Sequence, residues 1–326
     1  MKRLLWQLLC AVGINKEACY INERVQSMRV LITGGTGFVG SPLVNHLLDD
    51  GHQVMVLSRQ PASTIRSKLS NRVQSVSSIS AVNPSTYFDA VINLAGEGIM
   101  DKRWTPARKK ALEDSRIGLT TELVDLIERM ENKPDCFISA SAVGYYGVNI
   151  SSEPLDESAG PGQDYAAKLC ENWERAAKRV ESFGVRTCIV RIGVVLHPGG
   201  GALKKMLPPF RLGLGGTIGD GKQVMPWIHR QDLVDALLFL VSEDSASGIF
   251  NGVAPEVLTN KQFTQVLGTA LGRPTFFTVP GCALKLALGE AAQLLTEGQA
   301  VQSKRLQEAG FTFSYRNITQ ALSALL

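Results

Sequence analysis

Three side chains in this chain have the types and spacing for proton transfer at a carbonyl. Ser139-Ala140-Ser141-Ala142-Val143-Gly144-Tyr145-Tyr146-Gly147 follows an apolar run, and Tyr165 and Lys168 come further on, one helical turn apart. Moving a hydride to or from a carbonyl carbon requires a proton transfer at the oxygen. A phenol does this when an ammonium nearby lowers its pKa and a hydroxyl orients the substrate. Residues three apart on a helix share a face, so Ser141, Tyr165 and Lys168 are expected around one pocket. The competing reading makes Tyr165 a half-buried packing residue and Ser141 a turn cap.

Such a site needs a hydride carrier, and the clearest element of the chain supplies its seat. Val30-Leu31-Ile32-Thr33-Gly34-Gly35-Thr36-Gly37-Phe38-Val39-Gly40 is an apolar strand running into glycines spaced three apart, with a helical pattern after it. Gly34 turns the chain tightly, Gly37 admits a pyrophosphate to the backbone, and Gly40 lets the helix pack on the sheet. Helix-terminal amides then hold the phosphates. Gly34, Thr36, Gly37, Phe38, Val39 and Gly40 are therefore placed at a dinucleotide. The next strand, Gln53–Leu57, ends in Ser58-Arg59, where an NAD site carries an acid for the ribose hydroxyl. A guanidinium there suits a 2′-phosphate, so NADP(H) is expected over NAD(H). Asn93-Leu94-Ala95-Gly96 ends a further strand at the same sheet edge, with short residues that let backbone lie along the cofactor and Asn93 fixing the loop.

The order of elements predicts how these pieces are held. Strands at 29–33, 53–58, 88–94, 136–140 and 186–192 alternate with helical patterns at about 38–50, 106–130 and 164–183, and a less ordered serine-rich stretch spans about 62–86. This is the pattern of an α/β, Rossmann-like, doubly wound parallel sheet. Residues 28–195 form the dinucleotide-binding core. Residues 196–326 return in part to that core and otherwise build a smaller C-terminal substrate lobe against the sheet edge. Residues 1–27 stand apart: Lys2 and Arg3 precede an apolar run from Leu4 to Ile14, too short to span a bilayer. They read as an extension, a packed helix, or a targeting or membrane-surface segment.

Composition narrows the partners. A net charge of +4 over 326 residues, with no basic run interleaved with aromatics, does not point to nucleic acid. Cys10, Cys19, Cys136, Cys170, Cys188 and Cys282 lie far apart, without metal-site spacing or a disulfide framework. No metal, no firm membrane association and a cytoplasmic setting are expected, with a small-molecule substrate as partner.

Taken with further motifs, these residues resemble an atypical extended short-chain dehydrogenase/reductase. More narrowly, the chain is similar to epimerase family proteins of the NAD-dependent epimerase/dehydratase type that carry a C-terminal domain of unknown function. The resemblance runs from Met28 to Leu326. It rests on the glycine stretch, Asn93-Leu94-Ala95-Gly96-Glu97, Lys102-Arg103-Trp104-Thr105, Asp114-Ser115-Arg116, Ser139–Gly147, Cys170-Glu171-Asn172-Trp173-Glu174, Pro226-Trp227-Ile228-His229 and Phe250–Glu256. It implies a Ser or Thr with a Tyr-x-x-x-Lys pair. Ser141 matches the hydroxyl, but counting back from Lys168 the tyrosine position holds Asp164, and Tyr165 stands one residue late. It further implies a substrate side at Arg103, Trp104, Arg116 and His229, and a homodimer by helix pairing. Two functions follow as expectations. One is an NADP(H)-dependent oxidoreductase or epimerase-like enzyme acting on a small polar carbonyl or hydroxyl compound, such as a nucleotide sugar. The other is a non-catalytic NADP(H)-binding sensor or scaffold.

Overall fold

The computed structural model describes residues 27–148 and 154–326. The reading of residues 1–27 therefore falls, but for Ser27, outside the described residues. β1 (Arg29–Thr33) is followed by α1 (Gly40–Asp49), β2 (Gln53–Leu57), α2 (Ala62–Lys68), β3 (Gln74–Val76) and β4 (Ala90–Asn93). α3 (Pro106–Glu113) and α4 (Leu119–Arg129) are joined by a π-helical turn, Asp114–Gly118, and lead to β5 (Cys136–Ala142), α5 (Tyr165–Lys178) and β6 (Arg186–Ile192). Then come β7 (Val194–His197), α6 (Gly201–Arg211), β8 (Gly216–Ile218), β9 (Trp227–His229), α7 (Arg230–Ser242) and β10 (Gly248–Gly252). The C-terminal part adds α8 (Asn260–Leu271), β11 (Phe277–Val279), α9 (Gly281–Leu288), α10 (Gln293–Thr296), α11 (Lys304–Glu308) and α12 (Ile318–Leu325).

Seven parallel strands form the main sheet in the order β10-β6-β5-β4-β1-β2-β3. Chain order reverses between β1 and β4, and a crevice opens at their carboxyl ends. Both faces are covered. On one, Leu43, Val44 and Leu47 of α1 and Leu233, Leu237 and Leu240 of α7 pack on Val30, Ile32 and Ile138. On the other, Leu123, Val124 and Ile127 of α4 meet Leu31, Val91 and Phe137. Strands buried on both sides read as near-continuous apolar runs, which is why Val30–Ile32 and Ala90–Ile92 are legible in the sequence.

The C-terminal lobe has its own apolar centre, with Leu203, Leu207 and Phe210 of α6 against Phe263 and Leu267 of α8 and Ile318 and Leu322 of α12. Two parallel strand pairs, β8–β11 and β7–β9, tie the lobe together and to the core. Thr259 and Gln262 form a capping box that starts α8.

Two segments differ from expectation. The serine-rich stretch carries α2 and β3, because Ile65 anchors one and parallel pairing of Met55–Leu57 with Gln74–Val76 holds the other. The helix expected over 106–130 is interrupted by the π turn at Asp114–Gly118, where no residue is buried.

Candidate active site

A cleft of about 860 Å³ opens at the β1/β4 crevice. Gly34 has φ +69, and a methyl group there would sit 2.7 Å from the carbonyl carbon and oxygen of Leu94. Only glycine lets this turn lie against the backbone of the neighbouring strand end. A methyl at Gly40 would overlap the Gly34 carbonyl oxygen, so the helix start also closes on the turn. The first turn of α1 has no side-chain cap and no acidic residue. Pro42 has no N–H, and the Ser41 and Leu43 amides are taken by the Gly37 and Val39 carbonyls, which leaves the Gly34–Gly40 turn that opens on the cleft as the place for an anion. Thr36, Gly37, Phe38 and Val39 line the same wall.

Asn93 does not line this cleft, which corrects its place among the cofactor contacts. It is buried among the strand ends. Thr33 Oγ1 donates to Asn93 Oδ1 at 2.7 Å, and Asn93 Nδ2 donates to Thr120 Oγ1 at 2.8 Å. Thr33 Oγ1 in turn accepts from the Ala95 amide at 3.2 Å. Asn93 thus sets the loop whose Leu94, Ala95 and Gly96 do line the cleft. At the far end stand Ser58, Arg59 and Gln60, together with Ser77, Ser78 and Ile79 after β3. The last three, and Glu122 elsewhere in the wall, carry no motif in the sequence, whereas Glu97 and Ser115, also in the wall, belong to motifs quoted above. β3 has three residues and leaves too short a pattern to read.

The expected reaction centre is not assembled. Ser141 is 2% exposed, and its hydroxyl donates to Glu174 Oε1 at 2.7 Å. Glu174 is held bidentately by Arg191, at 2.8 Å from Nε and 2.9 Å from Nη2. Arg191 Nη1 reaches the Tyr146 hydroxyl at 3.0 Å, and Tyr146 donates to Asn251 Oδ1 at 2.7 Å. The guanidinium also lies 3.4 Å over the Tyr145 ring. The alternation of β5 turns Ser141 towards α5, into a buried network that ties three strand ends together.

Tyr165 and Lys168 do not share a pocket. Tyr165 packs edge-on against Trp104, 5.0 Å between ring centroids, and donates to the Lys109 carbonyl at 3.1 Å. Burial, with Glu113 near it, pushes its pKa up to about 12, opposite to what an activated phenol needs. Lys168 is exposed on the outer side of α5. The helix begins at Tyr165, with Asp164 as its cap accepting from the Ala166 and Ala167 amides. Its buried side is Ala166, Ala167, Leu169, Cys170, Trp173 and Glu174. The residues four apart that face the end of β5 are Ala166 and Cys170, whose side chains lie against Gly144. Burial raises the Cys170 thiol to about 12.

The expected substrate side is also mostly structural. Trp104 is buried, and its indole donates to the Ile99 carbonyl at 2.9 Å. Arg103 is exposed beside Gly289. Arg116 sits in the π turn and donates to the Glu97 carbonyl at 2.7 Å, beneath Gly96. Burial lowers its pKa. Asp114, in the same turn, is taken by Lys110 at 2.9 Å. Arg116 therefore props the Gly96–Glu97 loop. His229 caps α7 through Nδ1, which accepts from the Gln231 amide at 3.1 Å, and its ring lies 3.8 Å from that of Tyr315. Burial, with His197 and Arg230 near it, brings its pKa down to about 4, so it is a neutral structural imidazole.

A second cavity, about 130 Å³, lies between the main sheet and the C-terminal lobe. Val143, Ala166, Val194, Met206, Met225 and Leu294 give it a mostly apolar lining, to which Asp164, Gln223, Asn260, Glu297 and Gln299 add polar groups. Its Gln223 and Asn260 are spent on backbone: Gln223 Nε2 donates to the Ile218 and Leu295 carbonyls, and Asn260 Oδ1 accepts from the Ile218 amide. At this size it seats one end of a ligand, since whole-ligand pockets run to roughly 300–1,000 Å³.

A doubly wound sheet with an uncapped, glycine-turned helix at its switch point is the arrangement of a dinucleotide-binding protein. The comparisons agree. Residues 30–251 match the NAD dependent epimerase/dehydratase family and residues 279–325 match the domain of unknown function DUF1731, so the chain belongs to that family. It is 38% identical over 313 residues to the chloroplastic SDR39U1 homolog of Arabidopsis thaliana, an epimerase family protein, covering 94% of this chain and 88% of that protein. The crystal structure of human epimerase family protein SDR39U1 with NADPH superposes with a TM-score of 0.83 at 35% identity, covering 91% of this chain and 99% of that one. A nucleoside-diphosphate sugar epimerase from Corynebacterium glutamicum gives a TM-score of 0.73 at 28% identity, covering 92% of this chain and 58% of that one.

Proposed function

We propose that this chain binds NADP(H) in preference to NAD(H) and exchanges hydride with a small carbonyl or hydroxyl compound whose reactive end enters the cavity beside Ala166. The observation that carries the cofactor reading is the end of β2. Ser58, Arg59 and Gln60, with Ser77 and Ser78 opposite, offer a guanidinium and hydroxyls and no carboxylate. The NADPH bound by the human relative supports it.

When bound, the nicotinamide supplies or accepts the hydride. The protein's part is mostly placement. The Gly34–Gly40 turn holds the pyrophosphate, Asn93 and Arg116 fix the loop beneath the cofactor, and Val143, Val194 and Met206 keep water from the reacting end. Tyr165 and Lys168 are turned elsewhere and do not carry the proton exchanged at the substrate oxygen.

Arg59→Ala is expected to raise the NADPH dissociation constant by about 10- to 100-fold and to leave that for NADH nearly unchanged. One charge-assisted hydrogen bond is worth about 1.5–3 kcal/mol. Fluorescence titration of bound nicotinamide checks this, and equal losses for both cofactors would remove the 2′-phosphate site. Tyr165→Phe is expected to change turnover by less than about threefold, whereas a phenol acting as general acid contributes roughly a hundredfold or more.

The enzymatic reading is tested by NADPH oxidation against a panel of small aldehydes, ketones and nucleotide sugars. Ready exchange of cofactor during turnover marks a reductase, and retention without net oxidation marks an epimerase. Ala166 and Cys170 at the end of β5 favour a second reading, a cofactor-binding sensor or scaffold. Tight NADPH binding with no turnover of any panel member would select it.

A further inference from the structure

The large apolar side chains more than half exposed among the described residues all lie in the C-terminal lobe: Phe276, 90% exposed, Leu286, 80%, Leu212, 75%, Leu214, 55%, and Phe277, 53%. They belong to two stretches that the fold joins. Gly213 lies against Pro274, and β8 pairs in parallel with β11, Gly216 opposite Phe277. The helix that follows β11, Gly-Cys-Ala-Leu-Lys-Leu-Ala-Leu over Gly281–Leu288, has no buried residue although it is mostly apolar. Solvated helices of ordinary proteins carry a polar outer face, and this one does not.

The charge of the same two stretches is one-sided. Lys204, Lys205, Arg211, Lys261, Arg273 and Lys285 lie within them, while the acids at their edges are engaged, Asp220 with Lys222, Glu290 with Lys109 and Glu256 with the Ile318 amide. All six cations are exposed. Lys205 is paired with Asp101 of the core at 3.1 Å. Exposed apolar tips on a basic surface match the lipid–water interface, where rings and aliphatic chains enter the acyl boundary and cations meet anionic headgroups. A second copy of this chain fits poorly, because a two-fold contact through this face would set its cations against themselves. No helix of the described residues is long and apolar enough to cross a membrane, so the contact is with one surface.

We infer that the lobe face built from Leu212–Leu214, Phe276–Phe277 and α9 docks the protein on an anionic membrane surface. The smaller cavity shares this lobe through Ile218 of β8, and docking brings it close to lipid.

The test is co-sedimentation of the full chain with phosphatidylcholine vesicles, with and without about one third phosphatidylglycerol. The account expects binding to the anionic vesicles at least about tenfold stronger than to neutral ones, weakening as salt rises. Phe276→Ser with Leu286→Ser, and separately Arg273→Glu with Lys285→Glu, should each lower it by about tenfold or more. These side chains are exposed, and unchanged thermal unfolding shows that the variants fold. Absence of vesicle binding overturns the proposal. So does binding that both variants keep, which would place it elsewhere in the chain. A protein that sediments as a dimer and becomes monomeric in Phe276→Ser/Leu286→Ser, without vesicle binding, makes the face an interface between copies and also overturns it. None of these outcomes depends on cofactor binding or turnover.

Discussion

Gly34→Ala is expected to weaken NADPH binding by at least about a hundredfold, some 2.7 kcal/mol, while the protein stays folded. Two costs combine. An alanine at φ +69 pays about 1–2 kcal/mol for the left-handed backbone. Its methyl also meets the Leu94 carbonyl carbon and oxygen at 2.7 Å, and those are backbone atoms that cannot rotate aside. Either the Gly34–Gly37 turn or the Leu94–Gly96 loop must move, and both line the cofactor cleft. Circular dichroism separates this loss from unfolding. NADPH affinity within threefold of the parent's would show that the turn does not set the phosphate site.

The second large effect falls on stability. Arg191→Met is expected to destabilise the protein by about 3–5 kcal/mol, because it leaves the Glu174 carboxylate buried without its partner. Ser141 would be its one remaining side-chain hydrogen bond among the described residues. Tyr146 would keep Asn251 but lose Arg191, and the Tyr145 ring would lose the cation above it. Glu174→Leu in the same chain should restore part of the loss, since a buried pair replaced by apolar groups of similar volume is often near neutral. Urea unfolding of both single variants and the double variant measures the coupling. A loss below about 1 kcal/mol for Arg191→Met would mean that solvent reaches the network.

The parts of the site legible in the sequence are those fixed by neighbouring residues along the chain. The strand-turn-helix at Gly34–Gly40 is such a case, because turn geometry depends on φ and on the room left by a missing Cβ. Arg59 at a strand end and the short residues Leu94–Gly96 are others. Ser141 could not be placed that way. Alternation along β5 shows that Ser139 and Ser141 share a face, but Glu174 and Arg191, which decide what that face holds, come from other elements. For Tyr165 and Lys168 the signal was present and overridden. The apolar stripe of Ala166, Ala167, Cys170, Trp173 and Ala177 already sets the phase of α5 and turns Lys168 outward. Trp104 and His229 look functional in sequence because large aromatic and imidazole groups are uncommon, yet each is used up locally, on the Ile99 carbonyl and the Gln231 amide.

We propose the β1/β4 crevice as a nicotinamide site tuned to the 2′-phosphate. Calorimetric titration of the purified chain, freed of bound nucleotide, with NADPH, NADP+, NADH and NAD+ tests it most directly. The structure predicts binding of both phosphorylated forms at least about tenfold tighter than their unphosphorylated counterparts. Equal affinity within each pair, tighter binding of NADH and NAD+, or no binding by any of the four would contradict it.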